Sequence, residues 1–298
     1  MSYSYQVKKS LIAEKKHFCC QKAELYGFLC FCNTFTQQKI RIVLEHKSIL
    51  DYFIAQIQKI CQIRLSEEEI RISGCRQIKY QLDLVDPILL DKLRNVLGYQ
   101  QWDQIDTTIL ESDCCRGSFV RGAFIASGFL SDPAKNYSLE LVLPRPEYET
   151  VMVSLFESVG IHGRVSIRKN SPVVYLKNTD DIKNFLTWIG AKEFVFDYIH
   201  AEIEKNIRNE INRVMNCENA NMNKMILASE RQAMAIQKLK DRGFVGLDPS
   251  LVEIAQARLL HRDYSLEQLG QSLKKPLSKS GVSHRLKKIM ELAERLDK

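Results

Sequence analysis

The chain has 298 residues, 45% of them hydrophobic and 27% charged, an ordinary balance for a globular protein of two or three domains. No apolar run reaches the ~18 residues needed to cross a bilayer, and the opening stretch MSYSYQVKKSLIAEKK lacks the apolar centre of a signal peptide, so a cytoplasmic protein is expected. The net charge of +7 sits in the last third, where residues 205–298 carry 18 Lys and Arg against 11 Asp and Glu while residues 1–204 carry 25 of each, so a neutral body with a basic end points to a polyanionic partner.

In chain order, the first distinctive element is AELYGFLCFCNTF, an apolar run around Gly27 with small Cys30 and Cys32 following. Next come a strand by alternation (KIRIVLEH), a helix by spacing (SILDYFIAQIQKIC), two strand-like runs (EEIRISG and QIKYQLDLV) and a helix (PILLDKLRNVLG). A second apolar run, FVRGAFIASGFLSDP, reads as a helix containing Gly122 and Gly128 and ending at Asp132-Pro133. Glycine in a helix costs about 1 kcal/mol against alanine, so a glycine-bearing helix with almost no polar face calls for a close partner. The order of elements then repeats: YSLELVLPR, EYETVMVSLFESVG, GRVSIRKN, PVVYLKN, DDIKNFLTWIG. Gly27 and Gly122 are 95 residues apart and Gly98 and Gly190 are 92 apart, a nearly constant offset that argues for duplication. Two such copies, related by a pseudo-two-fold axis, would pack their glycine helices against each other.

The nine cysteines include two adjacent pairs, Cys19-Cys20 and Cys114-Cys115, and no CxxC. They read as small buried hydrophobes of a reducing compartment, with a redox role for the adjacent pairs as the alternative, and no metal ligand or cofactor is expected.

From Val195 the pattern is helical, with Ile199, Ile203, Ile207 and Ile211 as an apolar stripe and Lys205, Arg208, Asn209, Asn212 and Arg213 on the other face. The asparagine-rich NCENANMNK predicts a helix break near Asn216–Asn219 with a restart toward Leu239, and DRGFVGLDP ends the second piece. Residues 205–240 hold seven basic and three acidic side chains, which makes Arg208, Asn212, Arg213, Asn221 and Lys224 candidates for secondary DNA contacts; capping and helix–helix hydrogen bonding are the other use of the asparagines.

The C-terminal stretch reads as a helix-turn-helix. PSLVEIAQARLLH is a helix with Asp248 as its cap and Pro249 in its first turn. Ser265 caps a short helix, Leu266–Leu273, in which Gly270 permits a close crossing. KKPLS is a turn that Pro276 enforces, and a second helix begins near Ser278 or Ser280 with Val282, Leu286 and Ile289 facing inward. Residues 268–290 contain six Lys and Arg and no acid. Lys274, Lys275, Ser278, Lys279, Ser280, Ser283, His284, Arg285, Lys287 and Lys288 are therefore the candidate DNA-binding residues, cations for phosphates and short polar groups for base edges.

The paired glycine helices resemble those of the LAGLIDADG homing endonucleases. Aligned on the glycine, LYGFLCFCN and VRGAFIASG place Cys32 and Ser127 where that family carries its catalytic acids, five residues on. Neither offers a hard oxygen anion for magnesium, so both are degenerate positions and no catalytic residue is expected. The family's DNA-facing sheets suggest Arg41, Lys79, Arg168 and Lys177 as contacts, with a merely solvated face as the alternative. The degenerate pair, the motif NRVMNCENANMNK and the run SLEQLGQSLKKPLSKSGVSHRLKKI together resemble the WhiA family of bacterial regulators, along essentially the whole chain.

That resemblance implies an α+β fold of duplicated LAGLIDADG-like repeats followed by an all-α helix-turn-helix domain. The expected division is a first repeat with an N-terminal extension at 1–110, a second repeat at 111–192, a helical connector at 193–244 and a DNA-binding domain at 245–298. The resemblance further implies a non-catalytic, nucleoid-associated regulator that binds double-stranded DNA, linked to cell division, chromosome segregation, transcription control and sporulation, with other transcription or cell-division proteins as further partners. An active endonuclease is disfavoured by the missing acids, and a protein-interaction scaffold is the remaining alternative.

Overall fold

The computed structural model describes residues 2–14, 16–65, 70–73 and 78–296. Part of the strand-like run EEIRISG (Glu68, Glu69, Gly74) and Cys75 lie outside the described residues. The chain forms two compact units, Met1–Glu204 and Lys205–Lys298.

The first unit is α+β and contains the same succession of elements twice. Helix α1 (Tyr3–Ala13) leads into α2 (Phe18–Cys30), β1 (Thr34–Phe35), β2 (Ile40–Leu44), α3 (Lys47–Cys61), β3 (Ile70–Ser73), β4 (Lys79–Leu84) and α4 (Pro87–Leu97). The second copy comprises α5 (Asp113–Ser127), β5 (Gly128–Leu130), β6 (Leu139–Val142), α6 (Tyr148–Glu157), β7 (Arg164–Arg168), β8 (Ser171–Leu176) and α7 (Thr179–Ile189). Each copy forms a four-stranded antiparallel sheet, in the orders β1-β2-β4-β3 and β5-β6-β8-β7. Helices α4 and α7 both stop at a left-handed glycine, Gly98 (φ 87°) and Gly190 (φ 94°), a conformation that glycine adopts at no steric cost.

Helices α2 and α5 are apolar almost all round, and Leu25 to Leu29 and Phe119 to Ile125 are buried without a break. They cross with their backbones in contact. A Cβ on Gly27 would lie 2.0 Å from the Phe119 carbonyl oxygen, and one on Gly122 would lie 2.0 Å from the Glu24 carbonyl oxygen. The two contacts are related by the same 95-residue offset, so each repeat offers its glycine to the other's backbone. Burial of Phe28, Phe53, Phe119, Phe124 and Phe185 around this seam joins both copies into one core.

Three details differ from the sequence reading. Gly128 is not a helical residue: α5 ends at Ser127 and Gly128 opens β5 with φ −76° and ψ 150°, and a Cβ there would meet the Phe124 ring at 2.2 Å. The short strands β1 and β5 carry too few residues to show alternation. Helix α1 was not anticipated; its buried face is only Ser4, Val7 and Leu11, too sparse a stripe to stand out.

The second unit holds most of α8 (Val195–Asp241), then α9 (Pro249–Leu260), α10 (Leu266–Gln271) and α11 (Lys279–Glu294). The expected break near Asn216–Asn219 does not occur, and α8 is continuous over 47 residues. Asparagine costs a few tenths of a kcal/mol per helical position, but residues 195–241 contain no glycine or proline, and propagation of an existing helix is cheap compared with a new nucleus. The apolar stripe it carries is exposed: Ile203, Ile207 and Ile211 are 51%, 53% and 53% accessible. No helix among the described residues is long and apolar enough to cross a membrane.

The glycine contacts yield a direct expectation. Gly27→Ala and Gly122→Ala should each lower the urea midpoint of the full chain with an unchanged denaturant slope, by an amount equal to at least about 1–3 kcal/mol, because the added methyl overlaps backbone that no side-chain rotation can move.

Candidate nucleic-acid interface

The second unit's core is built from α9, α10, α11 and the end of α8. Leu251, Ile254, Ala255, Leu269, Val282, Leu286 and Ile289 are buried together, and Ile236 and Leu239 of α8 add a fourth wall to what the sequence reads as a three-helix core. Asp248 accepts a hydrogen bond from the Ser250 N–H at 2.8 Å and Pro249 occupies the first helical position. Ser265 and Gln268 form a reciprocal capping box at the start of α10, which ends at Gln271, two residues earlier than the periodicity indicates. Gly270 is small for a specific reason: the turn folds back on it, so that a Cβ would meet the Leu277 carbonyl oxygen at 2.3 Å, and the Leu277 N–H donates to the Gly270 carbonyl at 3.1 Å. The crossing expected there is thus one of helix against turn.

Helix α11 begins at Lys279, with the Ser278 hydroxyl accepting from the Gly281 N–H at 3.3 Å. Val282, Leu286 and Ile289 face the core as their spacing indicates. Lys274, Lys275, Ser278, Lys279, Ser280, Ser283, His284, Lys287 and Lys288 are all exposed. Arg285 differs, being half-buried with a guanidinium N–H directed at the Ser250 carbonyl 3.5 Å away, so part of its donor capacity is turned toward α9. Ser278 is committed to capping, and its hydroxyl also lies 3.0 Å from that of Ser280. The start of α11 therefore presents free helix N–H groups, hydroxyls and Lys279 together, an arrangement suited to phosphate oxygens.

The secondary candidates on α8, Arg208, Asn212, Arg213, Asn221 and Lys224, are all exposed but do not share one face. At about 100° per residue, Arg213 and Lys224 lie within about 20° of each other, whereas Arg208 is about 140° from Arg213. A single groove could engage one subset at a time. The Asn221 amide lies 3.7 Å from the Cys217 sulfur one turn back.

In the first unit three of the four candidate cations, Arg41, Arg168 and Lys177, are already matched. Arg41 donates to Asp83 at 2.8 Å, with Lys39 3.3 Å from the same carboxylate. Arg168 pairs with Glu140 at 2.5 Å, and Lys177 donates to the Ser138 hydroxyl at 2.9 Å. Lys79 is exposed. A buried charge cluster braces the seam near the middle of the central helices: Glu24 contacts Lys16 at 2.5 Å and Arg121 at 3.5 Å, and accepts a hydrogen bond from the Tyr52 hydroxyl at 2.7 Å. Burial lowers the Lys16 pKa and raises that of Tyr52.

The degenerate positions are chemically quiet. Cys32 is buried, its thiol is directed at the Thr34 carbonyl 3.1 Å away, and burial pushes its pKa up to about 12. The Ser127 hydroxyl donates to the Val142 carbonyl at 2.9 Å. Among the described residues, no group of three or more carboxylates and histidines gathers as metal ligands. The potential metal-ligand group found among the described residues is formed by sulfur, from Cys19, Cys20, Cys114 and Cys115. The reading of the cysteines as buried hydrophobes holds for Cys20, Cys30, Cys32, Cys61 and Cys115 and is corrected for Cys19, Cys114 and Cys217, which are exposed. The signal was present in the sequence: the two adjacent pairs are 95 residues apart, the spacing of the seam glycines.

A family model described as the WhiA LAGLIDADG-like domain matches residues 116–208, and one described as the WhiA C-terminal HTH domain matches residues 211–293. The chain is 35% identical to the "Probable cell division protein WhiA" of Ruminiclostridium cellulolyticum, over 100% of this chain and 99% of that protein. It is 34% identical to the protein of the same name from Oceanobacillus iheyensis, over 99% and 98%. The crystal structure of full-length WhiA from Thermatoga maritima is similar in fold, with a TM-score of 0.61 at 22% identity over 99% of each chain.

The sheet ion pairs carry a pH dependence. Hydrogen bonding from Arg41 holds the Asp83 carboxyl down at about 2. A carboxylate with a depressed folded-state pKa stabilises fully above its unfolded value of about 3.9 and loses that contribution as the pH falls further. In acid denaturation of the full chain, Asp83→Asn should flatten the decline of stability between pH of about 4 and about 2 relative to the parent.

Proposed function

Because the chain belongs to the WhiA family, we propose that it is a double-stranded DNA-binding regulator without nuclease activity, working through its C-terminal helix-turn-helix. The observation that carries this reading is the exposed side of α11 and the turn before it, where residues 268–290 supply six Lys and Arg and no acid. Residues 278–290 enter the major groove. Lys279, Ser283 and His284 face base edges and nearby phosphates, while Lys274, Lys275, Lys287 and Lys288 hold the backbone. Arg285 contributes less, being partly turned to α9. Along α8, the subset Arg213, Asn221 and Lys224 adds a secondary contact.

The absence of cleavage follows from Cys32 and Ser127. In-line hydrolysis of a phosphodiester by two metals needs oxygen anions, and a buried neutral thiol and a hydroxyl hydrogen-bonded to a carbonyl do not supply them. The duplicated body (1–110 and 111–192) acts as scaffold, the connector (193–244) links it to the DNA-binding domain (245–298), and the protein works on the nucleoid. Its relatives' naming as cell-division proteins points to that process, with control of transcription as the means. The exposed apolar stripe of α8, including Ile207, Ile211 and Val214, favours a second role as a docking surface for other transcription or cell-division proteins.

Lys279→Glu with Lys287→Glu tests the reading. Both side chains are exposed, so the melting curve should stay as in the parent. Affinity for duplex DNA, measured by fluorescence anisotropy, should fall by at least about tenfold, and the slope of log affinity against log salt should shrink by about two, near 0.9 per lost phosphate contact. Unchanged affinity and slope would refute binding through α11, and magnesium-dependent cutting by the parent that disappears in a Ser127→Ala variant would refute the non-catalytic reading.

A further inference from the structure

The four cysteines at the head of the central helices form a site that the DNA-binding reading does not use. Cys19 and Cys20 are the second and third residues of α2, and Cys114 and Cys115 are the second and third of α5. The offset within each pair of equivalents is 95 residues, the same as from Gly27 to Gly122. One Cys-Cys dipeptide in each repeat is therefore carried by the pseudo-two-fold to one place, where the contact at the glycines holds the helix starts side by side. The four sulfurs all lie within 4.8 Å of one another, with 4.0 Å between those of Cys19 and Cys20.

We propose that Cys19, Cys20, Cys114 and Cys115 form a tetrathiolate site for a single zinc ion that staples the two repeats together. Zinc–sulfur bonds of about 2.3 Å in a tetrahedron set the sulfurs about 3.8 Å apart. The observed separations contract to that value with side-chain rotation of under about 1 Å. All four donors are soft and none is oxygen, which selects against magnesium and calcium. With every position filled by sulfur, the ion has no vacancy for water or substrate, so its part is structural.

The surroundings suit an anionic centre. Four thiolates around a divalent cation leave a net charge of −2, and the ligands sit in the first turns of two helices, where unsatisfied N–H groups and the positive ends of both dipoles converge. The Ser112 hydroxyl lies 3.5 Å from the Cys114 sulfur, and the Ser118 hydroxyl donates to the Cys114 carbonyl at 2.8 Å, fixing the backbone of a ligand. Cys19 and Cys114 are exposed and give the ion an entry path, while Cys20 and Cys115 are buried and anchor it. The site is no remnant of a nuclease centre. Cys20 and Cys32 are 12 residues apart along α2 and its end, about 18 Å at 1.5 Å per residue. The ion would brace the end of the seam opposite the degenerate positions.

The test uses the full chain, purified under reducing conditions and stripped with a chelator. Titration with zinc should give one ion per chain by native mass spectrometry and a higher melting temperature. Cobalt should give the intense visible bands of a tetrahedral ion together with thiolate charge transfer. Cys19→Ser with Cys114→Ser, at exposed positions that leave the core intact, should weaken zinc binding at least about a hundredfold, the upper end of the loss caused by removing even an outer-layer partner. Cys217→Ser, on α8, should leave it unchanged. Zinc affinity equal in the double variant and the parent, an octahedral cobalt spectrum, or disulfides linking these cysteines in protein that takes up no zinc after reduction would each overturn the proposal.

Discussion

Two carbonyl oxygens, those of Glu24 and Phe119, lie so near the opposite glycine that a methyl group would stand 2.0 Å from each. Everything in the first unit is arranged around that approach. Around this backbone contact some flanking side chains pack across the seam, Tyr26 against Phe119, while others pack within each copy, where Phe28 stacks on Phe53 and Phe124 packs on Phe185. Each copy has one four-stranded sheet and cannot cover it alone; sharing α2 and α5 gives both a common core. The same crossing brings the two cysteine pairs together at the helix starts.

Electrostatics divides the chain along a similar line. In the first unit several cations of the sheets are held by acids, Arg41 and Lys39 by Asp83 and Arg168 by Glu140. The buried Lys16, Glu24 and Arg121 hold one another at the seam. Such pairing consumes the charge that a nucleic acid would otherwise meet. In the second unit the apolar side of α11 is buried and its lysines remain exposed, with only the loose Lys287–Glu291 contact at 4.0 Å along the helix itself. The net positive charge of the chain is thus concentrated where it remains available to a polyanion.

Helix α8 shows how a local signal can mislead. Asn216, Asn219, Asn221 and Asn223 each disfavour the helix slightly, and asparagine is a good cap, so a break is a reasonable local inference. A break, however, forfeits hydrogen bonds at two new ends and requires a new nucleus, and no glycine or proline compels it. The result is one long helix in which these asparagines and Ile203, Ile207 and Ile211 face outward.

What the sequence by itself determined was whatever depends on near neighbours in the chain: the caps at Asp248 and Ser265, the inward face of Val282, Leu286 and Ile289, the repeat of elements, and a cysteine and a serine, not carboxylates, at positions 32 and 127. These follow from periodicity, propensity and residue chemistry over a few turns. Only the tertiary structure decided which residues meet across the pseudo-two-fold. It placed the Leu277 carbonyl over Gly270, turned Arg285 toward Ser250, matched Arg41 with Asp83 and gathered four cysteines from two distant pairs. The reason is that helix crossings and sheet registers fix distances between residues remote in sequence, and the 95-residue spacing of the cysteine pairs acquires meaning only once the glycines have brought the helices together.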